Sequence, residues 1–245
     1  MPLKTSKYIW HEGRLVPWEQ ATVHVLSHAL HYGSSVFEGV RVYDTPQGPM
    51  AFRLTDHIRR MFNSAKIYRM KLPYSLDVLV EACREVVRAN GLLKGAYIRP
   101  LAFRGYGEMG VAGNIEEPAC CSVAAWEWGS YLGEGGLEKG VDVCVSSWQR
   151  VAPNTVPTLA KAGGNYLSSA LVTLEARRLG FAEGLALSSA GFVSEGAGEN
   201  LFLVQDGRLY TPPVATSILA GLTRDTVVKL ATAAGLEVLE QNIPR

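Results

Sequence analysis

The sequence predicts an α/β (α+β) fold that is divided into two domains. Short apolar runs bounded by turn residues alternate with amphipathic helical patterns in both halves of the 245-residue chain. The segment GSYLGEGG at positions 129–136 is richer in glycine than a helix or strand interior tolerates. We therefore expect an N-terminal domain at residues 1–128, an interdomain linker at 129–136 and a C-terminal domain at 137–245.

The first domain is predicted to combine antiparallel strands with two helices. The expected strands are residues 8–11, 14–17, 36–43, 50–53, 96–103 and 120–128. Turn residues at Glu12-Gly13 and at positions 45–48 join the first two pairs of strands. Apolar spacing predicts a helix that begins near Thr55 and a second helix that runs from the N-cap residue Ser75 to Gly91. We expect these strands to complete one sheet.

The second domain is predicted to alternate strands and helices. It begins with a strand at residues 141–147, passes through a segment rich in proline and glycine to position 164, and continues as a helix from about Tyr166 to Gly180. Hairpins follow that turn at positions 190–191 and 206–207. A helix at residues 223–235 and a strand at 237–243 end the chain.

Composition and charge exclude several classes of function. A formal net charge of +1 without a block of like charges argues against nucleic acid or an anionic membrane as the main partner, and favours a small molecule. No apolar run approaches the roughly 20 residues that span a bilayer, and the N-terminus does not resemble a signal peptide, so we expect a cytoplasmic protein. The four cysteines form no CxxC pair, which leaves neither a disulfide framework nor a zinc site.

Two further patterns are rejected as functional sites. The segment GYGEMG at positions 105–110 fits the dinucleotide-binding pattern, but the following residues contain Gly, Asn and Pro and cannot open the helix that such a site requires. His24, His28 and His31 would share one helical face, yet no carboxylate lies among them. We expect these histidines to be structural and predict no metal.

Two charged residues stand in unusually uncharged surroundings. Lys161 lies in TLAKAGGN, and burial there would lower the pKa of its amine and favour attack on a carbonyl carbon. Glu195 lies in SEGAGEN between apolar strands, where a buried carboxylate needs a cation. Local composition alone leaves open that the lysine sits in an exposed loop and the glutamate in a turn. The start of the last helix, at Leu222 and Thr223, could bind an anion, as most helix starts can.

Several longer segments settle these alternatives by resemblance. They are SHALHYGSSVFEGVR at 27–41, FRLTDHIRRMFNSAKI at 52–67, AYIRPL at 96–101, WEWGSYLG at 126–133, APNTVPTLAKAGGNYLSSAL at 152–171 and EGAGENLF at 195–202. In this order they resemble the branched-chain aminotransferases among the class IV, or fold-type IV, pyridoxal 5'-phosphate (PLP) enzymes. The resemblance implies a smaller N-terminal and a larger C-terminal α/β domain, with the cofactor in the crevice between them.

The resemblance also assigns the cofactor site. It implies that Lys161 carries PLP as a Schiff base and later moves the substrate's Cα proton, and that Glu195 keeps the pyridine nitrogen protonated. It places Tyr166 at the phenolic oxygen of the ring. Arg60, rather than the adjacent Arg59, would bind the phosphate bidentately, together with the backbone N–H groups of Leu222 and Thr223.

The family further implies the reaction and the substrate pocket. Leucine, isoleucine or valine would give a branched 2-oxo acid, and 2-oxoglutarate would be converted to glutamate in the second half of a ping-pong cycle. The implied substrate-binding residues are Tyr32, Phe37, Tyr97, Arg99, Met109, Val111 and Trp128. Arg99 would bind the side-chain carboxylate of glutamate. Tyr32 would come from a partner subunit, because the resemblance implies a homo-oligomer that is at least a dimer.

The sequence departs from the family at its C-terminal end. Family members continue past the position of Arg245 with a Gly-Thr-Ala loop that completes the phosphate site, so we expect an incomplete C-terminal domain and weak PLP binding if the chain ends there. Alternatives within the fold are a D-amino acid aminotransferase and an aminodeoxychorismate lyase. AYIRPL and WEWGSYLG argue against both. A non-catalytic PLP-binding protein is the alternative from another class.

Overall fold

The computed structural model describes residues 3–129 and 136–245, which belong to two compact units. The first unit comprises residues up to Gly129 together with Ala160–Gly164, and the second comprises the rest of the chain. Most of the predicted linker, at positions 130–135, lies outside the described residues. The expected domain division stays a prediction, to which the structure adds that the segment around Lys161 is grouped with the first unit.

One antiparallel sheet forms the centre of the first unit. Its strands are β1 (Tyr8–His11), β2 (Arg14–Pro17), β3 (Ser35–Phe37), β4 (Val40–Tyr43), β5 (Met50–Ala51), β6 (Ala96–Phe103) and β7 (Cys120–Trp126). They follow the order β2-β1-β7-β6-β4-β5, and β3 also pairs with β6. The predicted single sheet and its first hairpin are therefore confirmed.

The predicted continuous strand at 36–43 is wrong, because the chain breaks between β3 and β4 at Glu38 and Gly39. Both strands pair with β6, and the break lies opposite the part of β6 that contains Pro100. Proline has no N–H group to donate to a neighbouring strand, which interrupts the ladder at this point. A Cβ atom on Gly39 would lie 1.8 Å from the Tyr97 hydroxyl, so only glycine leaves room for that ring.

Three helices accompany this sheet: α1 (His28–Tyr32), α2 (Leu54–Ile67) and α3 (Leu76–Ala89). The two predicted helices, α2 and α3, are confirmed, and the Ser75 hydroxyl caps α3 by accepting a hydrogen bond from the Val78 N–H at 3.3 Å. The buried faces include Ile58 and Met61 of α2 and Leu79 of α3. Burial of each such side chain contributes about 1.5–3 kcal/mol, which holds the helices on the sheet.

The described part of the second unit, from Gly136 onwards, contains two small sheets and three α-helices. Its elements are α4 (Gly136–Lys139), β8 (Val143–Gln149), α5 (Tyr166–Arg178), β9 (Glu183–Leu187), β10 (Val193–Gly196), β11 (Leu203–Gln205), β12 (Arg208–Thr211), α6 (Leu222–Ala233) and β13 (Val238–Glu240). The strand orders are β10-β9-β8 and β11-β12-β13. Both predicted hairpins and both predicted helices are confirmed.

In each of these sheets one pair of strands is parallel and is connected through a helix. The strands β8 and β9 are joined through α5, and β12 and β13 through α6. The last predicted strand is shorter than expected, with only Val238–Glu240 in the sheet. Among the described residues no helix has both the length and the apolar composition to cross a membrane.

Candidate active site

Lys161 is fixed in the first unit by its own backbone. Its N–H group donates to the Ser64 hydroxyl at 3.0 Å, and its carbonyl oxygen accepts a hydrogen bond from the Phe37 N–H at 3.0 Å. The alanines on either side of it belong to the hydrophobic core. A Cβ atom on Gly163 would lie 2.3 Å from the Ser35 hydroxyl, so glycine lets this segment approach β3 closely. Lys161 is thus held between α2 and β3.

The environment of the Lys161 amine agrees with the expected desolvation. Burial lowers the pKa of this amine, while the nearby Glu38 carboxylate acts in the opposite direction and the lowering prevails. The amine nitrogen lies 5.1 Å from the centre of the Phe37 ring. A lysine with a lowered pKa is present as the neutral, nucleophilic amine in a larger fraction of molecules, which suits attack on a carbonyl group.

A buried charge network lies beside this lysine and was missed in the sequence. The Glu38 side chain is 0% exposed and accepts hydrogen bonds from Arg60 Nε and Nη2, both at 2.7 Å, and from His57 Nδ1 at 2.7 Å. Burial opposes ionisation of Glu38, but the hydrogen bonds from Arg60 and His57 outweigh it, so the pKa of Glu38 is lowered. Glu38 lies two residues from Val36 and two from Val40, so all three side chains alternate towards the core. A charged residue in such a buried series could have indicated the network from the sequence alone.

The structure distinguishes Arg60 from the adjacent Arg59, which no physical argument from the sequence could do. The Arg59 side chain is 58% exposed and pairs with Asp56 at 2.6 Å on the helix surface. The Arg60 side chain is only 14% exposed and pairs with buried Glu38. Since Nε and Nη2 of Arg60 already bond to Glu38, a bidentate contact with phosphate would use the Nη1–Nη2 edge of the guanidinium. The phosphate-binding role of Arg60 stays a prediction.

Three of the predicted substrate-binding residues form an aromatic cluster around a fourth, Arg99. The Arg99 guanidinium carbon lies 4.7 Å from the Phe37 ring centre and 5.2 Å from the Tyr97 ring centre. The Trp128 ring centre lies 4.8 Å from that of Tyr97. Trp126, which the sequence did not single out, completes the cluster at 5.8 Å from Arg99. Cation–π contacts of this kind stabilise a desolvated arginine.

Two donors in this aromatic cluster are buried without a partner. Arg99 Nε and Trp126 Nε1 make no hydrogen bond with any residue of the described chain, although Arg99 Nη2 donates to the Tyr97 hydroxyl at 3.1 Å. A buried donor without an acceptor destabilises the fold by about 1–3 kcal/mol. Donors of this kind are therefore expected to have a function, such as a hydrogen bond to a ligand. The cluster therefore combines an apolar wall with hydrogen-bonding capacity for a polar or anionic group.

The other three predicted substrate residues form a separate group. The Tyr32 hydroxyl donates to the Met109 carbonyl oxygen at 3.0 Å, and Val111 is 81% exposed. His28 Nε2 donates to the Gly110 carbonyl oxygen at 2.9 Å and helps to hold the same loop.

The remaining histidines and the glycine motif have structural contacts. His31 Nε2 lies 2.9 Å from the Val25 carbonyl oxygen, and His24 packs on the Tyr106 ring. No group of three or more potential metal ligands occurs among the described residues. The GYGEMG segment is followed by turns and a bridge at positions 111–118 rather than by a helix, as the sequence predicted.

In the second unit, Glu195 is buried on β10 and bonded at both carboxylate oxygens. Oε1 lies 2.9 Å from Nη2 of Arg150, and Oε2 accepts hydrogen bonds from Asn200 Nδ2 and the Leu219 N–H, both at 3.0 Å. Arg150 is itself buried and also donates to the Ser169 hydroxyl at 3.2 Å. The sequence called for a cation beside Glu195, and the structure identifies Arg150 in that position.

Tyr166, Leu222 and Thr223 are placed by the starts of two helices in the same unit. Tyr166 is the first residue of α5, and Leu222 and Thr223 form the first turn of α6. Backbone N–H groups in a first turn have no partner within their helix and point out of its end. Asn200 also donates to the Leu219 carbonyl oxygen at 3.0 Å, which ties the Glu195 segment to the chain just before α6.

Comparison with known proteins identifies the family of the chain. Residues 35–245 match the family described as amino-transferase class IV. The chain is 56% identical over 245 residues to the branched-chain-amino-acid aminotransferase of Escherichia coli strain K12, and the match covers 100% of this chain and 79% of that protein.

Solved structures give the same result. The crystal structure of the Escherichia coli branched-chain amino acid aminotransferase matches with a TM-score of 0.96 and 56% identity, over 98% of this chain and 79% of that one. The branched-chain amino acid aminotransferase of Thermobaculum terrenum, solved in its PLP form, matches with a TM-score of 0.88 and 35% identity, over 98% and 78% of the two chains. The chain therefore belongs to the class IV aminotransferase family.

Proposed function

We propose that this chain is a PLP-dependent transaminase that transfers the amino group of branched-chain L-amino acids to 2-oxoglutarate. The observation that carries the proposal is the buried Lys161 amine, whose pKa is lowered and which lies 5.1 Å from the Phe37 ring of the aromatic cluster. A nucleophilic amine beside an apolar, arginine-containing wall suits a reaction at the α-carbon of an aliphatic amino acid. Relatives named for this activity share 56% of its residues.

The predicted cofactor-binding residues offer the chemical groups that PLP requires. Lys161 offers an amine to the cofactor's aldehyde, Arg60 and the N–H groups of Leu222 and Thr223 offer donors to its phosphate, and Tyr166 offers a hydroxyl to its phenolic oxygen. Glu195 offers a carboxylate to the ring nitrogen. The Thermobaculum terrenum relative was solved as the holo form with PLP. These residues fit the cofactor, and their roles here are part of the proposal.

When bound, PLP supplies an electron-withdrawing ring that stabilises negative charge at the substrate's α-carbon. Lys161 acts as the base that removes the Cα proton, for which its lowered pKa is suited. Glu195 is oriented by the Arg150 guanidinium, whose Nη2 atom lies 2.9 Å from Oε1. Arg60 is held by Glu38 and neutralises a phosphate charge in a buried position.

The aromatic cluster explains how one site could accept both leucine and glutamate. Phe37, Tyr97 and Trp128 give an apolar wall that excludes water from an aliphatic side chain. Arg99 provides the cation for the side-chain carboxylate of glutamate, and its Nε atom has no protein acceptor within the described chain. We assign Met109 and Val111 to the same pocket, on the basis of the family resemblance.

We also propose a homo-oligomer, at least a dimer, in the cytoplasm. The first unit exposes a series of apolar side chains near its N-terminus and on the loop that contains Met109: Val23, Val25, Leu26, Leu30, Tyr32, Tyr106 and Val111. The two segments are adjacent, because Ser27 pairs with Tyr106 and Tyr32 bonds to Met109. An exposed apolar surface of this kind is typical of a protein interface, and it includes Tyr32, the residue that we assign to the pocket of a partner subunit.

A titration followed by absorbance tests the proposed reaction. The chain mixed with PLP should develop a visible absorption band, which L-leucine should shift and 2-oxoglutarate should restore. Lys161→Ala should lack the lysine-dependent part of the band. If no band develops, cofactor binding is refuted, and a band that responds to D-alanine but not to L-leucine would refute the substrate class.

A further inference from the structure

The centre of the network beside Lys161 is Glu38, a residue to which the proposed reaction gives no direct role. Its two carboxylate oxygens receive Arg60 Nε and Nη2, each at 2.7 Å, in a parallel two-bond arrangement. His57 Nδ1 adds a third hydrogen bond at 2.7 Å to Oε2. The carboxylate has no access to solvent, so these three bonds define its position.

Two parallel hydrogen bonds fix the orientation of a planar guanidinium. A single bond would leave Arg60 able to rotate, whereas bonds at both Nε and Nη2 determine the plane of the group and the direction of its Nη1–Nη2 edge. The edge that a phosphate would use is therefore set by Glu38. His57 sets Glu38 in turn, because its Nδ1 proton occupies a lone pair on the oxygen that Arg60 Nη2 also contacts.

We propose that Glu38 and His57 are positioning residues that orient the Arg60 guanidinium for the phosphate group of the cofactor. This inference rests on the proposed function, since the phosphate is that of PLP. The carboxylate also compensates the charge of a buried arginine, which would otherwise be costly to desolvate. A residue that only held α2 against the break between β3 and β4 would affect folding but would not distinguish ligands with and without phosphate.

Pyridoxal, which lacks the phosphate of PLP, provides this distinction. Dissociation constants for PLP and for pyridoxal would be measured on the full 245-residue chain after removal of bound cofactor. In Glu38→Gln the PLP constant should rise roughly 10-fold to 100-fold, because a charge-assisted contact that orients the ligand-binding group is lost. The pyridoxal constant should change much less than the PLP constant, because pyridoxal makes no phosphate contact and is affected only through the charge of Glu38 near the Lys161 amine.

The His57 variants give a milder version of the same test. His57→Asn keeps an N–H donor near the Nδ1 position and should retain the preference for PLP, whereas His57→Leu removes the donor and should reduce that preference about 3-fold to 10-fold. Asp56→Asn is the matched control, because it removes a partly exposed carboxylate that pairs with Arg53 and Arg59 on the surface of the same helix. This variant should leave both dissociation constants unchanged.

The outcomes separate the inference from the proposed function. Wild-type protein that binds neither PLP nor pyridoxal would refute the proposed function. Wild-type protein that prefers PLP, with a Glu38→Gln variant that binds both ligands equally more weakly, would overturn the positioning role and leave the function intact. If Glu38→Gln does not fold, the His57 pair decides: an equal preference for PLP in His57→Asn and His57→Leu would overturn the inference.

Discussion

The two units each contain a buried glutamate–arginine pair, but the roles within the two pairs are reversed. In one pair the arginine is the proposed cofactor contact, and in the other the glutamate is. In the first unit, Arg60 is the proposed cofactor contact and Glu38 supports it. In the second unit, Glu195 is the proposed cofactor contact and Arg150 supports it. Each glutamate also accepts a hydrogen bond from a third side chain, which is His57 in the first pair and Asn200 in the second.

The difference between the pairs lies in which parts of the chain they connect. Both side-chain partners of Glu38 come from the single helix α2. Glu195 has partners in at least three segments: Arg150 after β8, Asn200 after β10, and the backbone of Leu219 before α6. A buried charge must be compensated by an opposite charge or by hydrogen bonds. Each charged residue that is proposed to contact the cofactor is therefore paired with a second, oppositely charged residue that supports it. Loss of the second pair should therefore loosen more of its unit than loss of the first.

The largest expected effect is on stability, from Arg150→Met. This variant leaves the Glu195 carboxylate buried without its cation, which should reduce the free energy of unfolding by about 3–5 kcal/mol. Urea unfolding of the cofactor-free protein would measure the change. The double variant Arg150→Met/Glu195→Gln should recover part of the loss, because no charge then remains unpaired. A loss below about 1 kcal/mol in the single variant would show that the pair does not stabilise the unit.

The second prediction separates the roles of the two glutamates in catalysis. Glu195→Gln should lower kcat for leucine roughly 100-fold to 1000-fold, since a neutral amide no longer stabilises a protonated ring nitrogen. Glu38→Gln should lose much less kcat than Glu195→Gln when PLP is saturating, because its main defect is in phosphate binding. Steady-state rates over a series of PLP concentrations would show this. Equal kcat losses in both variants at saturating PLP would contradict the proposal that Glu195 contacts the cofactor whereas Glu38 only supports Arg60.

The sequence predicted the elements whose causes are local. Helices α2 and α3 follow from apolar spacing, and the hairpin at Glu12-Gly13 follows from its turn residues. Lys161 and Glu195 could be singled out because each is a charge among apolar and glycine neighbours. These features depend on residues that are close in the sequence, so one sequence contains the required information.

The supporting residues could not be predicted in the same way. Glu38 and Arg60 are 22 positions apart, and nothing in either segment specifies the other as its partner. The break at Glu38 depends on Pro100 in a different strand, which cannot donate to its neighbour. Alternation alone therefore predicted one continuous strand over 36–43. Long-range pairing of this kind requires the fold before the partner of a buried charge can be identified.

The third prediction concerns Asn200, the neutral partner of the second pair. Asn200→Ala removes hydrogen bonds to Glu195 and to the Leu219 carbonyl oxygen, and should reduce the free energy of unfolding by about 1–3 kcal/mol. Because Arg150 still neutralises Glu195, this loss should be smaller than that of Arg150→Met. A larger loss than in Arg150→Met would mean that the hydrogen bonds, rather than the ion pair, hold the three segments together.

The smallest expected effect is a gain in stability from Lys161→Met. Unlike Glu38, whose pKa is lowered so that it stays charged, Lys161 has a pKa lowered towards its neutral form by burial. At neutral pH the unfolded chain therefore holds this proton more tightly than the folded chain, and the lysine destabilises the fold. This penalty is present below the folded pKa and disappears as the pH rises towards the ordinary value of 10.5.

Lys161→Met should thus stabilise the cofactor-free protein by about 0.5–2 kcal/mol at neutral pH while abolishing transamination. The gain should shrink as the pH approaches 10.5, where the unfolded lysine also loses its proton. Urea unfolding of wild type and variant across this pH range would measure both trends. A variant that is less stable than wild type at neutral pH would show that the amine is compensated by its surroundings as fully as the two glutamates are. The proposed catalytic base would then be a third balanced charge rather than a group whose protonated form is disfavoured by burial at a cost in stability.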